Sequence, residues 1–490
     1  MLKNNLIVGL VFLFCCQSSF TQENKLPQVA EALSTKIQHY KSVFQVFTIR
    51  AERNYHSPWT QNDFNQVSGS AFLLNYQGQS FIITNAHVIE NAHLVRLRKV
   101  NNDQQVTAQV KAISYSRDLA LLELNDSSFL EGIDTLDLIQ QIDIGETVYS
   151  YGFDVGGSKI NMTKGVLSRK DFVSYVVSGY KNLTYQIDAA INPGKSGGPA
   201  LYGNQVIGVN FQGIQGDADN VGYIIPSSVI VDFLDEFIEN QQSAEIPAIG
   251  IQFSPLQNQQ LRRINQLESN ETGILITALS QAETNKNLFQ LGDVILSING
   301  HAIGNEGNIA FSDDNIHWQS IITNKHIGDS VKVTIKRQGK TDQIDYPLTH
   351  NHTDHYVVPG FTTKLDYLVI GGLVIVELDR ALAKKLFYEN FEHYRLIQNH
   401  QSERLLLITN VLSHPINEYY ESYRYHIVSK LNGQAIPNLA QLKQSLAENQ
   451  ESLVQLQIRD AFYNTYTLGF SKNELDVANK EINTLYHIPE

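Results

Sequence analysis

The chain has 490 residues, 42% hydrophobic and 10% aromatic, with only 12 prolines, which excludes a disordered or collagen-like polymer and calls for about three folded units. A formal net charge of −13 and a pI near 5.6 exclude a basic nucleic-acid surface and disfavour anionic lipid. Both cysteines, Cys15 and Cys16, stand near the N-terminus, so the rest of the chain carries no disulfide, thiol nucleophile or thiolate metal site.

In chain order, Lys3, the apolar run 6–16 and the small and polar residues around Ser18, Ser19 and Thr21 read as a secretory signal over 1–21. A membrane anchor is the competing reading, but the run is shorter than the roughly 20 residues a spanning helix needs. Lipid attachment at Cys16 is a further alternative, against which Phe14 is bulky for such a signal. Val29, Leu33, Ile37 and Tyr40 recur at helical spacing and predict a helical lead-in over 22–42.

From 43 to 242, short β-branched and aromatic runs at 70–75, 80–84, 119–124, 148–152, 185–189, 205–211 and 223–225 predict an all-β barrel unit. Ile230, Phe233, Leu234, Phe237 and Ile238 form a helical stripe that closes it. The remaining half holds an internal repeat. Residues 293–305 read strand, Asn299-Gly300 turn, strand, then a helical stretch and the strand 331–337. Residues 427–438 lead through a helix over 439–447 into the strand 454–459. One small α+β module is therefore used twice, over 243–348 and 363–470, with a linker at 349–362 and a tail at 471–490. The linker's His350, His352, Asp354 and His355 could be read as a metal site, but no flanking periodicity sets ligand geometry, so a solvated linker and no metal are expected.

The segment 192–200, Asn-Pro-Gly-Lys-Ser-Gly-Gly-Pro-Ala, carries the chemistry. A serine flanked by glycines exposes its hydroxyl while neighbouring N–H groups converge on one point, the geometry of an oxyanion hole. A phosphate-binding loop is rejected because Ala189 stands where its first glycine belongs and Pro193 interrupts the loop. A serine needs a base and an orienting carboxylate. His87 ends the apolar run 82–86, and Asp118 precedes the run 119–122. Their order His, Asp, Ser, separated by 31 and 78 positions, matches a chymotrypsin-type double barrel and excludes the subtilisin and α/β-hydrolase orders.

Thr84-Asn85-Ala86-His87-Val88, Asp118-Leu119-Ala120 and Gly194-Lys195-Ser196-Gly197-Gly198-Pro199 make the chain resemble the Deg/HtrA serine proteases, which usually carry asparagine where Lys195 stands. The resemblance implies a multi-domain protein with a chymotrypsin-like double β-barrel followed by two PDZ-like domains. His87 would be the general base, Asp118 its orienter and Ser196 the nucleophile, with Gly194, Lys195 and Ser196 at the oxyanion hole. Asn210, Phe211 and Gln212 would pair with substrate, Ile191 and the segment after Gly213 would line the specificity pocket, and no cofactor is implied. Ile249, Gly250 and Ile251, with Ala248, resemble the loop of a PDZ module that binds a peptide carboxylate; residues 370–373 occupy the corresponding place in the second copy. The insertion 378–403, Ser57-Pro58-Trp59 and 413–425 are similar to the plant-type branch, in which the second module serves assembly or regulation. The family implies unfolded polypeptides and peptide C-termini as partners, a homo-oligomer of trimers, and, with the signal, a Gram-negative periplasm. A catalytically silent PDZ scaffold is the alternative.

Overall fold

The computed structural model describes residues 41–60, 63–175, 181–213, 221–241, 245–279, 288–311, 314–349, 365–389, 404–460 and 462–489. The signal expected over 1–21, the lead-in expected over 22–42 apart from Lys41 and Ser42, the histidine-rich positions 350–355 and the segment 214–220 lie outside these residues.

Alternation of apolar and polar residues builds the first thirteen strands: β1 (Val43–Glu52), β2 (Asp63–Tyr76), β3 (Gln79–Thr84), β4 (Ala92–Lys99), β5 (Gln105–Ser114), β6 (Leu119–Leu124), β7 (Leu136–Leu138), β8 (Thr147–Phe153), β9 (Ile160–Ser174), β10 (Lys181–Ile187), β11 (Pro199–Tyr202), β12 (Gln205–Gly213) and β13 (Gly222–Pro226). They form two closed barrels. β1-β4-β5-β6-β3-β2 returns to β1, and β12-β11-β8-β9-β10-β13 returns to β12, with β7 bridging β2 and β12 in parallel. Closure leaves neither barrel a free edge. Each barrel has its own apolar filling: Phe44, Val46, Leu73, Ile82 and Leu97 in the first, Val148, Leu167, Ile187, Ile207 and Ile224 in the second. A short helix α1 (Ala86–Ile89) follows β3, and α2 (Ser227–Asn240) packs Val229, Ile230, Phe233 and Phe237 against the barrels. β1, β4, β5 and β9 mix charged and apolar residues and were not among the runs legible in the sequence.

The next unit contains β14 (Ile251–Pro255), α3 (Gln259–Ile264), β15 (Ile274–Leu279), β16 (Val294–Ile298), β17 (His301–Ala302), β18 (Asn308–Phe311), β19 (Asp314–His317), β20 (Ser330–Arg337) and β21 (Lys340–Pro347). The helix expected after the Asn299-Gly300 turn is absent. In its place β18 and β19 pair as a hairpin, followed by a 3-10 turn at Trp318–Ile321. Gly307, with φ 86°, lies against the Phe253 ring and turns the chain into that hairpin, whose Ile309 and Ile316 face each other in register.

The last unit contains β22 (Tyr367–Ile370), β23 (Leu373–Glu377), α4 (Arg380–Glu389), β24 (Leu406–Val411), β25 (Ile427–Leu431), β26 (Gln434–Ala435), α5 (Leu439–Glu448), β27 (Leu453–Arg459), β28 (Thr465–Ser471) and α6 (Lys472–Leu485). The residues expected as a tail are instead α6, which buries Leu475, Ala478 and Ile482 in this unit. Helix α5 forms as its sequence predicts: the Asn438 side chain caps it by accepting from Gln441 N, and Leu439 and Leu442 enter the core. The insertion at 378–403 begins as α4; its remainder lies outside the described residues.

Candidate active site

The predicted residues meet at the seam between the barrels. β3 ends at Thr84 and α1 begins at Ala86, so His87 stands at the barrel mouth, its side chain 22% exposed. Asp118 precedes β6 in a turn closed by Asp118 N donating to Tyr115 O at 3.2 Å, and it holds φ 51°. Its carboxylate is buried. Oδ2 lies 2.7 Å from His87 Nδ1, and Oδ1 accepts from the His87 backbone N–H at 2.8 Å. The main chain and the ring of His87 are thus fixed by one carboxylate, which leaves Nε2 free to exchange a proton. The Asp118 carbonyl in turn accepts from Asn85 Nδ2 at 2.9 Å and Ala86 N at 3.1 Å.

Ser196 comes from the second barrel, in the loop before β11. Proline at 193 sets φ near −65°, Gly194 has φ 98°, and Lys195 N donates to Asn192 O at 3.1 Å, so residues 192–195 form a type II turn. The Pro193 carbonyl accepts from Val155 N at 2.9 Å. In a trans peptide the N–H points opposite to the C=O, so the Gly194 N–H is aimed away from Val155. Neither Gly194 N nor Ser196 N has an acceptor among the described residues. Lys195 is corrected here: its N–H is consumed by Asn192 O and cannot join an oxyanion hole. A Cβ at Gly194 would overlap the Phe153 carbonyl and stand 2.7 Å from Val155 N, so glycine is required on steric as well as dihedral grounds.

The Ser196 hydroxyl donates to Phe211 O at 3.2 Å and has no bond to His87. Phe211 is the bulged residue of β12, buried against Tyr175 at 4.4 Å between ring centroids. Asn210 is also buried, its Nδ2 donating to Tyr151 O at 2.8 Å and its Oδ1 accepting from Ser150 Oγ at 2.9 Å, so its side chain holds the barrel together and faces no substrate. Gln212 continues β12 opposite Tyr223. Ile191 packs beside Gly222, in the second barrel's apolar cluster.

Two residues that the sequence motifs passed over organise this site. Ser70, on β2 of the first barrel, donates through Oγ to Gly194 O at 2.8 Å, accepts from Phe153 N at 2.9 Å and gives its own N–H to Ser196 O at 2.8 Å. It stitches the nucleophile loop to the opposite barrel; only the pair Gly69-Ser70 inside a strand hinted at close backbone approach. The Arg50 guanidinium, from β1, donates to the His87 carbonyl. The Lys195 side chain runs inward, and its ammonium donates to Thr163 Oγ1 at 2.9 Å. Burial pulls that ammonium down to about 8, opposed by the charge of Asp154.

The two repeat units differ at their predicted loops. Ala248 bridges Thr349, Ile249 is buried with its carbonyl accepting from Tyr346 OH at 2.6 Å, and Gly250 turns at φ 64° into β14. Among the described residues β14 pairs only with β15 and is an outer strand of its sheet. In the last unit, Gly371 and Gly372, with φ 54° and 84°, form the tight turn of a hairpin in which β22 pairs along β23 from Tyr367↔Val376 to Ile370↔Leu373. β22 therefore covers the strand edge that β14 leaves open. Gly371 N donates to Asn479 Oδ1 at 2.8 Å and Gly371 O accepts from Asn417 Nδ2 at 2.7 Å, so this loop's polar groups are satisfied internally. The expectation that 370–373 is an equivalent carboxylate loop is corrected accordingly.

Known families account for the same three units. A trypsin-like peptidase domain matches residues 69–209, and PDZ domains match residues 247–348 and 358–490. Putative protease Do-like 3, mitochondrial, of Arabidopsis thaliana is 31% identical over 414 residues, 83% of this chain and 72% of the relative. Protease Do-like 4, mitochondrial, from the same plant is 31% identical over 423 residues, 85% of this chain and 79% of the relative.

The chain belongs to the Do-like (Deg/HtrA) serine proteases.

Within that family it is a serine-type endopeptidase with a chymotrypsin-like domain and two PDZ domains, similar to the plant Do-like enzymes. Among solved structures, the HtrA-type protease AlgW with decapeptide shares its fold at TM-score 0.51 and 20% identity, covering 65% of this chain and 98% of that one. Among the described residues of this Do-like protease no helix is long and apolar enough to cross a membrane.

Proposed function

We propose that this Do-like protease cleaves unfolded or damaged polypeptides without ATP, through an acyl-enzyme on Ser196. The observation that carries the reading is the 2.7 Å pair of His87 Nδ1 and Asp118 at the mouth between the barrels, on the same seam as the Ser196 loop. Asp118 holds His87 in the tautomer that leaves Nε2 as base; Nε2 takes the Ser196 proton as Oγ attacks the scissile carbonyl, and returns it to the leaving amine. The Gly194 and Ser196 N–H groups receive the developing oxyanion. Ile191 packs beside Gly222 where the family resemblance puts the specificity pocket, which supports a small aliphatic residue before the scissile bond.

A substrate or regulatory peptide adds to β14 and delivers its carboxylate to the loop 248–251 of the first PDZ domain; the similar AlgW structure contains a decapeptide. Independence from ATP is supported by the surroundings of the two glycine-lysine-serine/threonine sequences: 194–196 is the nucleophile turn and 339–341 joins β20 to β21, and neither opens a helix. Family resemblance supports assembly as trimers. Lys3 with the apolar run 6–16 supports export, and the absence of cysteine beyond Cys16 suits a periplasm in which no disulfide is needed; the plant relatives are named for mitochondria. The scaffold alternative draws on one observation, the Ser196 hydroxyl turned to Phe211 O instead of to His87.

The test is cleavage of casein by the purified protein without ATP, beside Ser196→Ala. Loss of roughly six orders of magnitude in turnover is expected for the variant. Casein binding without cleavage by either protein would replace the protease reading with the scaffold.

A further inference from the structure

The Asp118 turn is gripped from two directions. On one side Arg117 makes a buried two-pronged pair with Glu236 of α2, Nη2 to Oε1 at 2.8 Å and Nη1 to Oε2 at 3.1 Å. On the other, the carboxylate of Glu245, ahead of the first PDZ domain, sits over the turn. Its Oε1 accepts from Tyr115 N at 3.0 Å and its Oε2 from Ser116 N at 2.6 Å and Ser114 Oγ at 3.4 Å. Ile246 N then donates to Ser116 Oγ at 2.8 Å.

The turn needs such a grip. Asp118 sits at φ 51°, a region non-glycine residues occupy only when their surroundings hold them there, and its carboxylate must meet two His87 atoms at once. The Tyr115 N–H joins this turn just ahead of Asp118, and Glu245 is its acceptor. A misplacement of about 1 Å in a catalytic group suffices to lower turnover about 100-fold. The same residue stands three positions from Ala248, which bridges Thr349 and opens the loop 248–251. Displacement of the PDZ domain must either drag Glu245 or release it.

We propose that Glu245 is a positioning residue for Asp118, so that seating of the PDZ linker on the 114–116 turn completes the orienting arm of the triad. This rests on the triad reading above. It makes the first PDZ domain a structural part of the catalytic site through a carboxylate on backbone N–H groups.

The experiment compares full-length wild type, Glu245→Ala, Glu245→Gln and Ser196→Ala on casein, together with the rate of active-site phosphonylation by diisopropyl fluorophosphate at a fixed neutral pH. Glu245→Ala is expected to lower kcat about 10- to 100-fold with little change in KM. It is also expected to slow phosphonylation by a similar factor, because that reaction draws on the His87–Asp118 pair and on Ser196 without needing a bound polypeptide. Glu245→Gln keeps one of the two acceptors and sets its NH2 against the other N–H, so it recovers only part of both losses. Ser116→Ala, which removes the acceptor of Ile246 N–H and the contact with Ser114 Oγ, lowers both rates by less and reads the grip if Glu245→Ala is too unstable to purify. A wild-type kcat and phosphonylation rate in Glu245→Ala, or in Ser116→Ala where only that variant can be read, overturn the proposal even if melting falls. Wild-type cleavage that survives Ser196→Ala would instead overturn the triad itself.

Discussion

Lys195 stands beside the nucleophile but points away from it, into a space closed by Gly152, where a Cβ would come 2.8 Å from Lys195 Cα, and by Thr163 on β9. A buried ammonium is disfavoured, so the folded protein holds its pKa near 8 against 10.5 when exposed. Between those values the unfolded chain binds the extra proton, and stability rises with pH. The melting temperature of wild type relative to Lys195→Asn is therefore expected to climb from pH 8 toward 10.5 and to be lowest below 8. A pH-independent difference across that window would refute it. At the neighbouring Gly194, alanine would meet both a forbidden dihedral and the Phe153 carbonyl. Gly194→Ala is expected to lower kcat about 10²- to 10³-fold, the usual effect of losing one oxyanion donor, as measured by steady-state cleavage. Lys195 was legible as a departure from the family motif; that its N–H is consumed in a turn was not, because the partner Asn192 O depends on the loop's dihedrals.

Among elements, the hairpin β18–β19 carries the first PDZ domain onto the protease domain. His317 at its end stacks on Phe172 of β9 with centroids 5.7 Å apart and an interplanar angle of 4°, and lies 6.0 Å from Phe253 of β14. Burial, then the nearby Lys181 ammonium, lower its pKa to about 4 from 6.5. The neutral ring is the one that fits. Its contribution to docking is present in full above pH 6.5 and lost as pH falls toward 4, since the unfolded chain takes up the proton first. His317→Phe is expected to remove that part of the acid sensitivity in paired thermal melts; identical acid profiles would count against the stack as an interface element. The sequence predicts a helical stretch here, as it does in the sister repeat. What separates them is local: Asn438, Leu439 and Leu442 cap and anchor α5, whereas Gly304, Gly307 and the facing Ile309 and Ile316 favour a hairpin.

At the scale of the molecule, the loop between β1 and β2 reaches the second PDZ domain. Tyr55 is buried there, donating to both Asp379 oxygens at 2.7 and 2.9 Å beside the Arg53–Asp379 ion pair, and Trp59 Nε1 donates to Tyr486 O at 3.0 Å. His56 Nδ1 lies 2.9 Å from Thr409 O, and Asn410 Nδ2 donates to His56 O at 3.0 Å. This domain thus uses its surface on its own chain, while its strand β23 is already flanked on both sides. A hydrophobic C-terminal peptide is therefore expected to bind with a stoichiometry of one per chain in titration calorimetry. Two equivalent sites would show that β22 yields its place to ligand.

The family, the three-unit order and the residues that meet at the barrel seam could be read from sequence because each is written in contiguous signals: short motifs around His87, Asp118 and Ser196, and an Asn-Gly turn repeated at 299–300 and 432–433. Barrel closure, the Ser70 stitch, the Glu245 grip and the covered edge of β23 are contacts between residues far apart in the chain, spanning 124 positions from Ser70 to Gly194 and 129 from Ser116 to Glu245. Local propensity carries no record of such pairs. Serine, glutamate and a glycine pair are ordinary surface residues by composition, and only packing two barrels and two PDZ domains into one chain decided which of them would be buried, which N–H groups would be left open, and which strand edge would remain free.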